Sequence, residues 1–196
     1  MGNRVSEVKR KTKETDISIR LDLDGTGKSS ISTGIGFFDH MLEGFSKHGF
    51  FDLDCKVIGD LNVDGHHSVE DTGIVLGKAI AEAVGDKKGI RRYGYFILPM
   101  DDALILCAID LCGRPYFNFE CEFPTEKVGD LETELVREFF YAISYSAGMN
   151  LHVKMFAGVN THHIIEAMFK AFGKALDVAT SHDERITDVL STKGAL

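Results

Sequence analysis

The chain has no tryptophan, only three prolines and only four cysteines among its 196 residues. The cysteines show no Cys-x-x-Cys spacing, so neither a thiol redox motif nor a paired-thiolate zinc motif is present. Cysteines in apolar, strand-like segments are ordinarily buried and reduced. We therefore predict a reducing, cytoplasmic compartment.

Long apolar runs and an excess of positive charge are also missing. No run approaches the ~20 apolar residues of a membrane-spanning helix, and residues 1–15 are too polar for a secretion signal. The net charge of −8 argues against a nucleic-acid or anionic-membrane partner, because such surfaces need clustered lysine and arginine. Any phosphate that the protein binds should be small and local.

A His-His-x-x-Glu motif occurs twice, at residues 66–70 and 162–166. Each copy is followed at the same spacing by Gly-Lys-Ala and an aliphatic residue, beginning at Gly77 and Gly173. The copies lie 96 residues apart, close to half the chain. Self-similarity at a fixed offset indicates a repeated structural unit. We predict a duplicated domain in which each half supplies metal ligands.

The periodicity of apolar residues predicts the same kinds of element in both halves. In the first half it predicts a strand at 17–23 that opens the fold, a helix at 37–45, a strand at 51–57 and a helix at 66–84. In the second half it predicts strands at 103–111 and 117–123, a helix at 135–147, a strand at 151–156 and a helix from 162 to about 180. Interleaved strands and one-sided apolar helices are typical of an α+β sandwich with helices on mixed sheets. We assign residues 1–89 to the first half and 90–196, with a C-terminal tail, to the second half of one compact domain.

The two motifs suit a binuclear metal centre. Neighbouring residues of a helix point about 100° apart, so His66 and His67 cannot easily bind one ion but can serve two. Glu70 lies about one turn further along the same side, and the second motif repeats this arrangement. The first-turn position favours neutral imidazoles, because the positive end of the helix dipole disfavours their protonation. One such motif is often only polar surface, and it is the repeat that favours metal binding.

His40 is a further candidate ligand. An isolated histidine among core-facing residues is usually buried and hydrogen-bonded. The repeat changes this interpretation, since His40 precedes its His pair by 26 residues and Glu138 stands at about the same distance before the second pair. A carboxylate can replace an imidazole as a ligand of hard or borderline ions.

The assembled motifs resemble the imidazoleglycerol-phosphate dehydratase family over essentially the whole chain. The segments that carry the resemblance are Thr12-Lys13-Glu14-Thr15, Ser32-Thr33-Gly34-Ile35, Phe38-Asp39-His40-Met41-Leu42, Asp64-Gly65-His66-His67 with Glu70-Asp71, Asp110-Leu111-Cys112-Gly113-Arg114-Pro115, Thr161-His162-His163-Ile164-Ile165-Glu166-Ala167, Phe169-Lys170-Ala171-Phe172 and Ser191-Thr192-Lys193-Gly194. The segment beginning at Thr161 is the most specific of them.

The resemblance implies a duplicated two-layer α/β sandwich like the second domain of ribosomal protein S5. It also implies a homo-oligomer of twenty-four subunits with active sites between subunits, and two manganese ions (Mn2+) in each site. The positions that match the family's metal ligands are His40, His66, His67, Glu70, His162, His163 and Glu166. Glu138 stands where the family pattern has histidine, so either Glu138 ligates in its place, a water does, or that metal is held more weakly.

The activity that the resemblance implies is a lyase reaction of histidine biosynthesis. Water is removed from D-erythro-imidazoleglycerol phosphate, a small-molecule substrate, to give imidazole acetol phosphate. The proton to be lost is not acidic and hydroxide is a poor leaving group, so the imidazole ring, held by metal through its nitrogens, must drive the reaction. Catalytic positions match Glu14, Glu166 and His67. Phosphate-binding positions match Arg92, Arg114, Lys170, Ser191 and Lys193, with Lys170 one helical turn beyond Glu166.

Two other classes of function fit the residues taken alone. A binuclear metal-dependent hydrolase of small phosphate esters would use its ions to activate water. Such an enzyme would release phosphate, whereas the dehydratase leaves phosphate on its product. A noncatalytic scaffold would take up metal without any turnover.

Overall fold

The computed structural model describes residues 4–196, and these form ten strands and four helices. The first half contains β1 (Val5–Lys11), β2 (Thr15–Asp22), β3 (Ser29–Ser32), α1 (Gly36–Gly49), β4 (Asp52–Gly59) and α2 (His66–Val84). The second half contains β5 (Tyr93–Met100), β6 (Ala103–Asp110), β7 (Tyr116–Glu120), β8 (Lys127–Val128), β9 (Leu131–Glu132), α3 (Glu134–Ala147), β10 (Asn150–Ala157) and α4 (Thr161–Thr180).

Each half builds one four-stranded mixed sheet, and the two sheets have the same order. The first sheet is β1-β2-β4-β3 and the second is β5-β6-β10-β7. In both, the first three strands are antiparallel and the edge strand β3 or β7 runs parallel to its neighbour. The short hairpin of β8 and β9 has no counterpart in the first half. The α+β, internally duplicated fold is therefore confirmed.

The two halves meet through their helices. Helix α2 lies on the first sheet and α4 on the second, while α1 packs against α4 and α3 packs against α2. The repeated glycines make these crossings close: a Cβ atom at Gly77 would lie 2.8 Å from the carbonyl oxygen of Ile143, and one at Gly173 would lie 2.6 Å from that of Phe45. The Gly-Lys-Ala repeat thus marks where each half receives a helix of the other.

Phenylalanine fills the core between these helices. The rings of Phe139 and Phe169 stack with centroids 5.2 Å apart, and Phe140 and Phe172 meet at 5.5 Å. All four side chains are buried. Burial of one such side chain contributes about 2 kcal/mol, so this cluster holds the second-half helices α3 and α4 firmly in place.

Most predicted elements are confirmed, but the expectation that the strand at 17–23 opens the fold is wrong. β1 precedes it and pairs with β2, Val8 lying opposite Ile19. The predictions also lack β3, β5 and the short strands β8 and β9. The predicted boundary between residues 89 and 90 falls between α2 and β5, and it stays a prediction.

The lengths and compositions of the helices bear on the membrane question. In the described part of the chain, residues 4–196, none of the helices is both long enough and apolar enough to span a membrane.

Candidate metal centre

Helices α1 and α4 bring three possible ligands together at one end. His40 is the fifth residue of α1, and His162 and Glu166 lie on the first two turns of α4. The Nε2 atom of His40 is 3.7 Å from Oε1 of Glu166, and that of His162 is 3.2 Å from Oε2. Within residues 4–196 this is the one group of three or more such side chains whose ligand atoms all lie within 4.8 Å of one another. Two imidazole nitrogens and a carboxylate oxygen suit manganese, zinc, iron or cobalt.

The start of α4 is fixed by a side-chain cap. The Asn160 side chain accepts hydrogen bonds from the backbone N–H groups of His162 and His163, at 2.9 and 3.3 Å. Such a cap satisfies donors that the first helical turn cannot pair internally. On the other side, the ring of Phe37 packs edge-on against His162 at 4.9 Å. The His162 imidazole is therefore held facing α1.

Glu166 is kept ionised by its neighbours although it is only 8% exposed. Burial raises the pKa of this carboxyl, but the Lys170 ammonium 2.8 Å away, with further contributions from His40 and His162, brings the pKa below its ordinary value. An ionised carboxylate is the form that can ligate a metal. Lys170 also lies beside Met100, with Nζ 3.7 Å from Sδ.

A second, looser set lies where α2 begins. The Nε2 atom of His66 is 3.9 Å from Oε2 of Glu70, and Asp64 accepts a hydrogen bond from the backbone N–H of His66 at 2.8 Å. Glu138 is the fifth residue of α3, as His40 is of α1, and α3 packs against α2. Its carboxylate is hydrogen-bonded by Arg137 at 3.0 Å. Among the described residues, Glu138 is not part of a group whose ligand atoms lie as close together as those of His40, His162 and Glu166.

The second histidine of each motif points away from the first. The rings of His66 and His67 are nearly perpendicular, at 85°, and those of His162 and His163 make an angle of 78°. The centroids of each pair lie 6.2 and 6.0 Å apart. Each motif thus offers one imidazole toward its own Glu and a second one, called the outward imidazole below, toward acids outside the motif.

The outward imidazole of the first motif is placed among carboxylates. The Nδ1 atom of His67 lies 3.1 Å from Asp60, and its Nε2 atom lies 3.9 Å from Glu14 in the β1–β2 turn. The hydrogen bond with Asp60 outweighs the effect of desolvation and raises the pKa of His67. Glu14 is exposed, so its carboxylate can reach a molecule bound in front of His67.

The outward imidazole of the second motif has a similar setting. The Nδ1 atom of His163 is 2.6 Å from Asp102, and its Nε2 atom is 3.5 Å from Asp101. Asp102 also accepts hydrogen bonds from the backbone N–H groups of Val159 and Asn160. These bonds, with that of His163 first, hold the pKa of Asp102 well below its usual range.

Four of the five predicted phosphate-binding residues come together elsewhere. They line a cavity of about 800 Å³ formed where the C-terminal tail lies against the start of β5 and the β6–β7 connection, and they are Arg92, Arg114, Ser191 and Lys193. Lys170 is not among the lining residues and lies with Glu166 instead. Within one chain this tail cavity and the group of His40, His162 and Glu166 are therefore separate.

Arg92 anchors the tail. It is buried and has a left-handed backbone, with φ 68°. Its Nε and Nη2 atoms donate to Asp110 at 2.7 and 3.1 Å, and Nη1 donates to the carbonyl oxygen of Leu190 at 2.7 Å. This pairing raises the pKa of Arg92. These hydrogen bonds tie Leu190 of the C-terminal tail to Asp110 through Arg92, and so they fix one wall of the cavity.

The comparisons with known proteins decide the family. The sequence model of imidazoleglycerol-phosphate dehydratase matches residues 33–176. The chain belongs to the imidazoleglycerol-phosphate dehydratase family. The resemblance drawn from the motifs is thereby confirmed.

Named relatives match the chain from end to end. It is 66% identical over 194 residues to the imidazoleglycerol-phosphate dehydratase of Lachnoclostridium phytofermentans, a match that covers 99% of both chains. It is 63% identical over 194 residues to that of Acetivibrio thermocellus, covering 99% of this chain and all of the relative. The family membership therefore extends over both halves and the tail.

Two solved structures of imidazoleglycerol-phosphate dehydratases have the same fold. The enzyme from Staphylococcus aureus superposes with a TM-score of 0.83 at 40% identity, covering 91% of this chain and 99% of that one. The enzyme from Pyrococcus furiosus gives 0.83 at 38% identity, covering 96% and 100%. The element order described above is thus the architecture of solved imidazoleglycerol-phosphate dehydratase structures.

Sequence reasoning missed the acids that face the outward imidazoles of this imidazoleglycerol-phosphate dehydratase family member, namely Asp60, Asp101 and Asp102. For Asp102 a signal was present. It immediately precedes β6, as Glu14 immediately precedes its counterpart β2. An alignment of the two halves by their strands would have paired these acids. Asp60 has no such signal, because the residue after β10 is Gly158.

Proposed function

We propose that the chain dehydrates D-erythro-imidazoleglycerol phosphate to imidazole acetol phosphate in histidine biosynthesis, with two manganese ions in each active site. The observation that carries the proposal is the compact group of His40, His162 and Glu166, with Lys170 beside it, in a member of this family. Metal ligands and a cation for the substrate's phosphate are thereby adjacent.

The first ion has a suitable donor set on α1 and α4. Two imidazoles and one ionised carboxylate would hold a divalent ion and leave room for substrate and further ligands. When bound, divalent ions of this kind supply Lewis-acid charge to a substrate's heterocyclic ring. Lys170 lies beside Oε1 of Glu166, whereas His162 lies beside Oε2. The lysine can therefore turn toward a phosphate while it stays next to the ligand group.

The second ion would be held by His66, Glu70 and Glu138. The support is positional: α3 packs on α2 as α1 packs on α4, and Glu138 has the place in α3 that His40 has in α1. A carboxylate here adds a negative charge to the second site. We infer that Glu138 is the ligand that replaces the family's histidine, turning from Arg137 toward the ion.

The outward imidazoles support a site shared between copies of the chain. The side chains of His67 and His163 are 34% and 28% exposed, and their Nε2 atoms would complete sites begun by another subunit. Apolar side chains are exposed beside both helix starts, and they are Ile58, Leu61, Val63, Phe156 and Val159. Solvent-exposed apolar groups clustered around an incomplete site favour burial against a partner.

The outer faces of the two sheets support assembly as well. Glu7 and Lys9 are exposed on β1, whereas the equivalent positions on β5 carry Tyr95 and Ile97, which are 70% and 49% exposed. Duplication alone would not put apolar side chains on this face. We propose that it contributes to a homo-oligomer, of twenty-four subunits as the resemblance implies.

Proton transfer would fall to side chains near the outward imidazole of α2. Glu14 lies 3.9 Å from Nε2 of His67 and is exposed, so it can take a proton from the substrate's chain carbon or return one to the leaving hydroxyl. Glu166 is the second carboxylate able to exchange protons. His67 would ligate one of the ions beside Glu14.

The phosphate would be bound by the tail cavity together with Lys170 of another subunit. Arg114, Ser191 and Lys193 line the cavity beside the anchored Arg92. Guanidinium and ammonium groups are the usual partners of a phosphate monoester.

The thiols of all four cysteines are free, which supports the predicted cytoplasmic location.

The test is turnover of imidazoleglycerol phosphate by chelator-stripped protein, before and after manganese is added, with ketone and free phosphate measured together. Ketone that forms only with manganese, without phosphate release, is the expected result. Phosphate release would instead indicate a metal-dependent hydrolase. Metal uptake with neither product would contradict catalysis.

A further inference from the structure

Both outward imidazoles are hydrogen-bonded through the same ring atom. The Nδ1 atom of His67 lies 3.2 and 3.1 Å from the two carboxylate oxygens of Asp60. The Nδ1 atom of His163 lies 2.6 Å from Oδ1 of Asp102. In each case an acid faces Nδ1 at hydrogen-bond distance, whereas the acids nearest Nε2, Glu14 beside His67 and Asp101 beside His163, lie 3.9 and 3.5 Å away without a hydrogen bond.

The two acids come from parts of the fold that are not equivalent. Asp60 follows β4 in the connection to α2, whereas Asp102 lies in the β5–β6 turn. The first-half position equivalent to Asp102 is Glu14, and the second-half position equivalent to Asp60 is Gly158. The duplication therefore did not copy this arrangement, and each half has it by a different route. Two acids from different parts of the fold give the same contact at Nδ1. This repetition indicates that both imidazoles require an acid at that nitrogen.

The physical effect of such an acid is to choose the tautomer. An ionised carboxylate accepts a hydrogen bond and donates none, so the proton of a neutral imidazole stays on Nδ1 and the lone pair is on Nε2. The hydrogen bond also fixes the direction of the ring, since the side chains of His67 and His163 are partly exposed, at 34% and 28%, and are not held by packing alone. Asp102 is itself held by two backbone N–H groups, so it is a rigid support.

We infer that Asp60 and Asp102 are positioning residues that hold His67 and His163 in the Nδ1–H tautomer, so that Nε2 is the atom each presents to metal. The inference rests on the proposed function, since it requires that these imidazoles bind metal. It adds to that function two residues that touch neither metal nor substrate. Carboxylates behind metal-bound histidines typically change metal affinity by about 10–100-fold.

The experiment is a double-mutant cycle on the full chain, read as manganese affinity by competition with a fluorescent chelator. The variants are Asp60→Ala, His67→Ala and the double variant. We expect Asp60→Ala to weaken one class of manganese sites by about tenfold or more. In the His67→Ala background, Asp60→Ala should have no further effect, because the acid acts through that ring.

The matched control is Glu43→Ala. Glu43 lies 4.0 Å from Nδ1 of His40, too far for a hydrogen bond, and is exposed. The Glu43→Ala substitution removes the same charge at a similar distance from a candidate ligand. It should leave manganese affinity within about twofold of the wild type. An equal loss in Glu43→Ala and Asp60→Ala would show that charge alone matters, and would overturn the inference.

The remaining outcomes separate the inference from the proposed function. Wild-type affinity in Asp60→Ala, or an added loss in the double variant beyond His67→Ala, would overturn the inference alone. A wild-type chain that binds no manganese would overturn the proposed function and the inference with it. Thermal unfolding of each variant shows whether it is folded, and Asp60→Leu, which is branched like aspartate but offers no acceptor, replaces Asp60→Ala if the alanine variant is not.

Discussion

Lys170 is the residue that links the proposed metal site to the proposed phosphate site. Its ammonium is 2.8 Å from Glu166, but it is not itself a metal ligand. In Lys170→Met we expect the KM for imidazoleglycerol phosphate to rise by about tenfold or more, because a charged hydrogen bond to phosphate is lost. Manganese content, measured by elemental analysis, should be unchanged.

A matched control for this variant lies one turn further along α4. Lys174→Met removes an ammonium that packs over the ring of Phe50, 4.2 Å from its centroid. We expect its KM and metal content to equal those of the wild type. Loss of manganese from Lys170→Met would show that this lysine maintains the ligand group and does not serve the phosphate.

Glu138 gives a second test at a single position. Glu138→Ala should weaken one of two manganese-binding classes, whereas Glu138→His, which restores the family pattern, should retain both, since either side chain can ligate a borderline ion. Titration of stripped protein with manganese measures both classes. Equal affinities in Glu138→Ala and the wild type would mean that a water has the place of the ligand.

The candidate ligand residues could be proposed from sequence because their motif occurs twice in the chain. His40 and Glu138 were paired by spacing alone, and both prove to be the fifth residue of their helices. Asp60 could not be found in this way, because no repeat records its contact with His67, 7 residues along the chain. For Asp102 the repeat marks the position, but not the contact with His163, 61 residues along the chain.

At the scale of helices and strands, the repeated glycines determine how closely the helices cross. A Cβ atom at Gly77 would lie 2.7 Å from the Cβ atom of Ser146 and 2.8 Å from the carbonyl oxygen of Ile143. Gly77→Ala should therefore lower the stability by about 1–3 kcal/mol, as overpacking does, although alanine ordinarily favours a helix. Thermal unfolding measures the change.

The control glycine lies within α1. At Gly44 a Cβ atom would meet only the Cγ atom of Lys170, at 3.8 Å, which is an ordinary contact. Gly44→Ala should leave the stability unchanged or raise it by up to about 1 kcal/mol, the usual gain in a helix interior. Two alanine substitutions with opposite signs would establish that the crossing is tight at Gly77.

Asp177 gives a pH-dependent prediction at the end of α4. Burial raises the pKa of this carboxyl despite Lys174 and Arg4. Since the folded pKa lies above the unfolded one, the ionised form destabilises the fold above that pKa, and the cost disappears as pH falls. Asp177→Asn should add about 0.5 kcal/mol at pH 7, as for a negative charge removed from a helix C-terminus.

Melting curves across pH measure this effect. The gain in Asp177→Asn should shrink as pH falls through the folded pKa toward the ordinary value for aspartate. Asp130→Asn, on an exposed loop, should show no comparable gain. A gain in Asp177→Asn that persists unchanged into acid would mean that ionisation is not its cause.

The four helices could be predicted because each has one continuous apolar face, whereas five strands could not. β8 and β9 have two residues each, which is too short to show any alternation. β3 consists largely of serine, so it offers no apolar alternation. β5 carries Tyr95 and Ile97 on its outer face as well as Leu98 on its inner face, which hides the alternation. In β1 only Val8 is a fully buried apolar side chain. Edge strands and strands with two apolar faces are the ones that a period of two fails to reveal.

For the whole molecule, the outer face of the second sheet is where assembly can be tested. We expect Tyr95→Glu combined with Ile97→Lys, which installs the residues of the equivalent positions on β1, to reduce the native mass measured by light scattering. The reason is that taking two charged side chains out of water into an interface is costly, even where they pair with each other as Glu7 and Lys9 do. The secondary structure, followed by circular dichroism, should not change.

The reciprocal exchange is the control. Glu7→Tyr combined with Lys9→Ile alters the same two positions on the first sheet, and we expect the native mass to equal that of the wild type. If Tyr95→Glu with Ile97→Lys also leaves the mass unchanged, the face of β5 is not part of the assembly.

The pairing of whole halves could not be predicted from sequence. Periodicity shows that a helix has an apolar face but not which element covers it. Nothing in the spacing of residues indicates that α1 packs on α4 rather than on α2, and this crossing is what brings His40 to Glu166 across 126 residues. Long-range packing of the phenylalanine core fixes it.

The crossed packing of the halves has a consequence for how the chain can change over evolutionary time. Because each ligand group combines helices from both halves, a half-length chain could build such groups only as a symmetric pair, and every substitution would then appear in both groups at once. Fusion into one chain removes that coupling. The pairs His40 with Glu138, and Glu14 with Asp102, are differences that only a fused chain can hold, one group being altered while the other is kept.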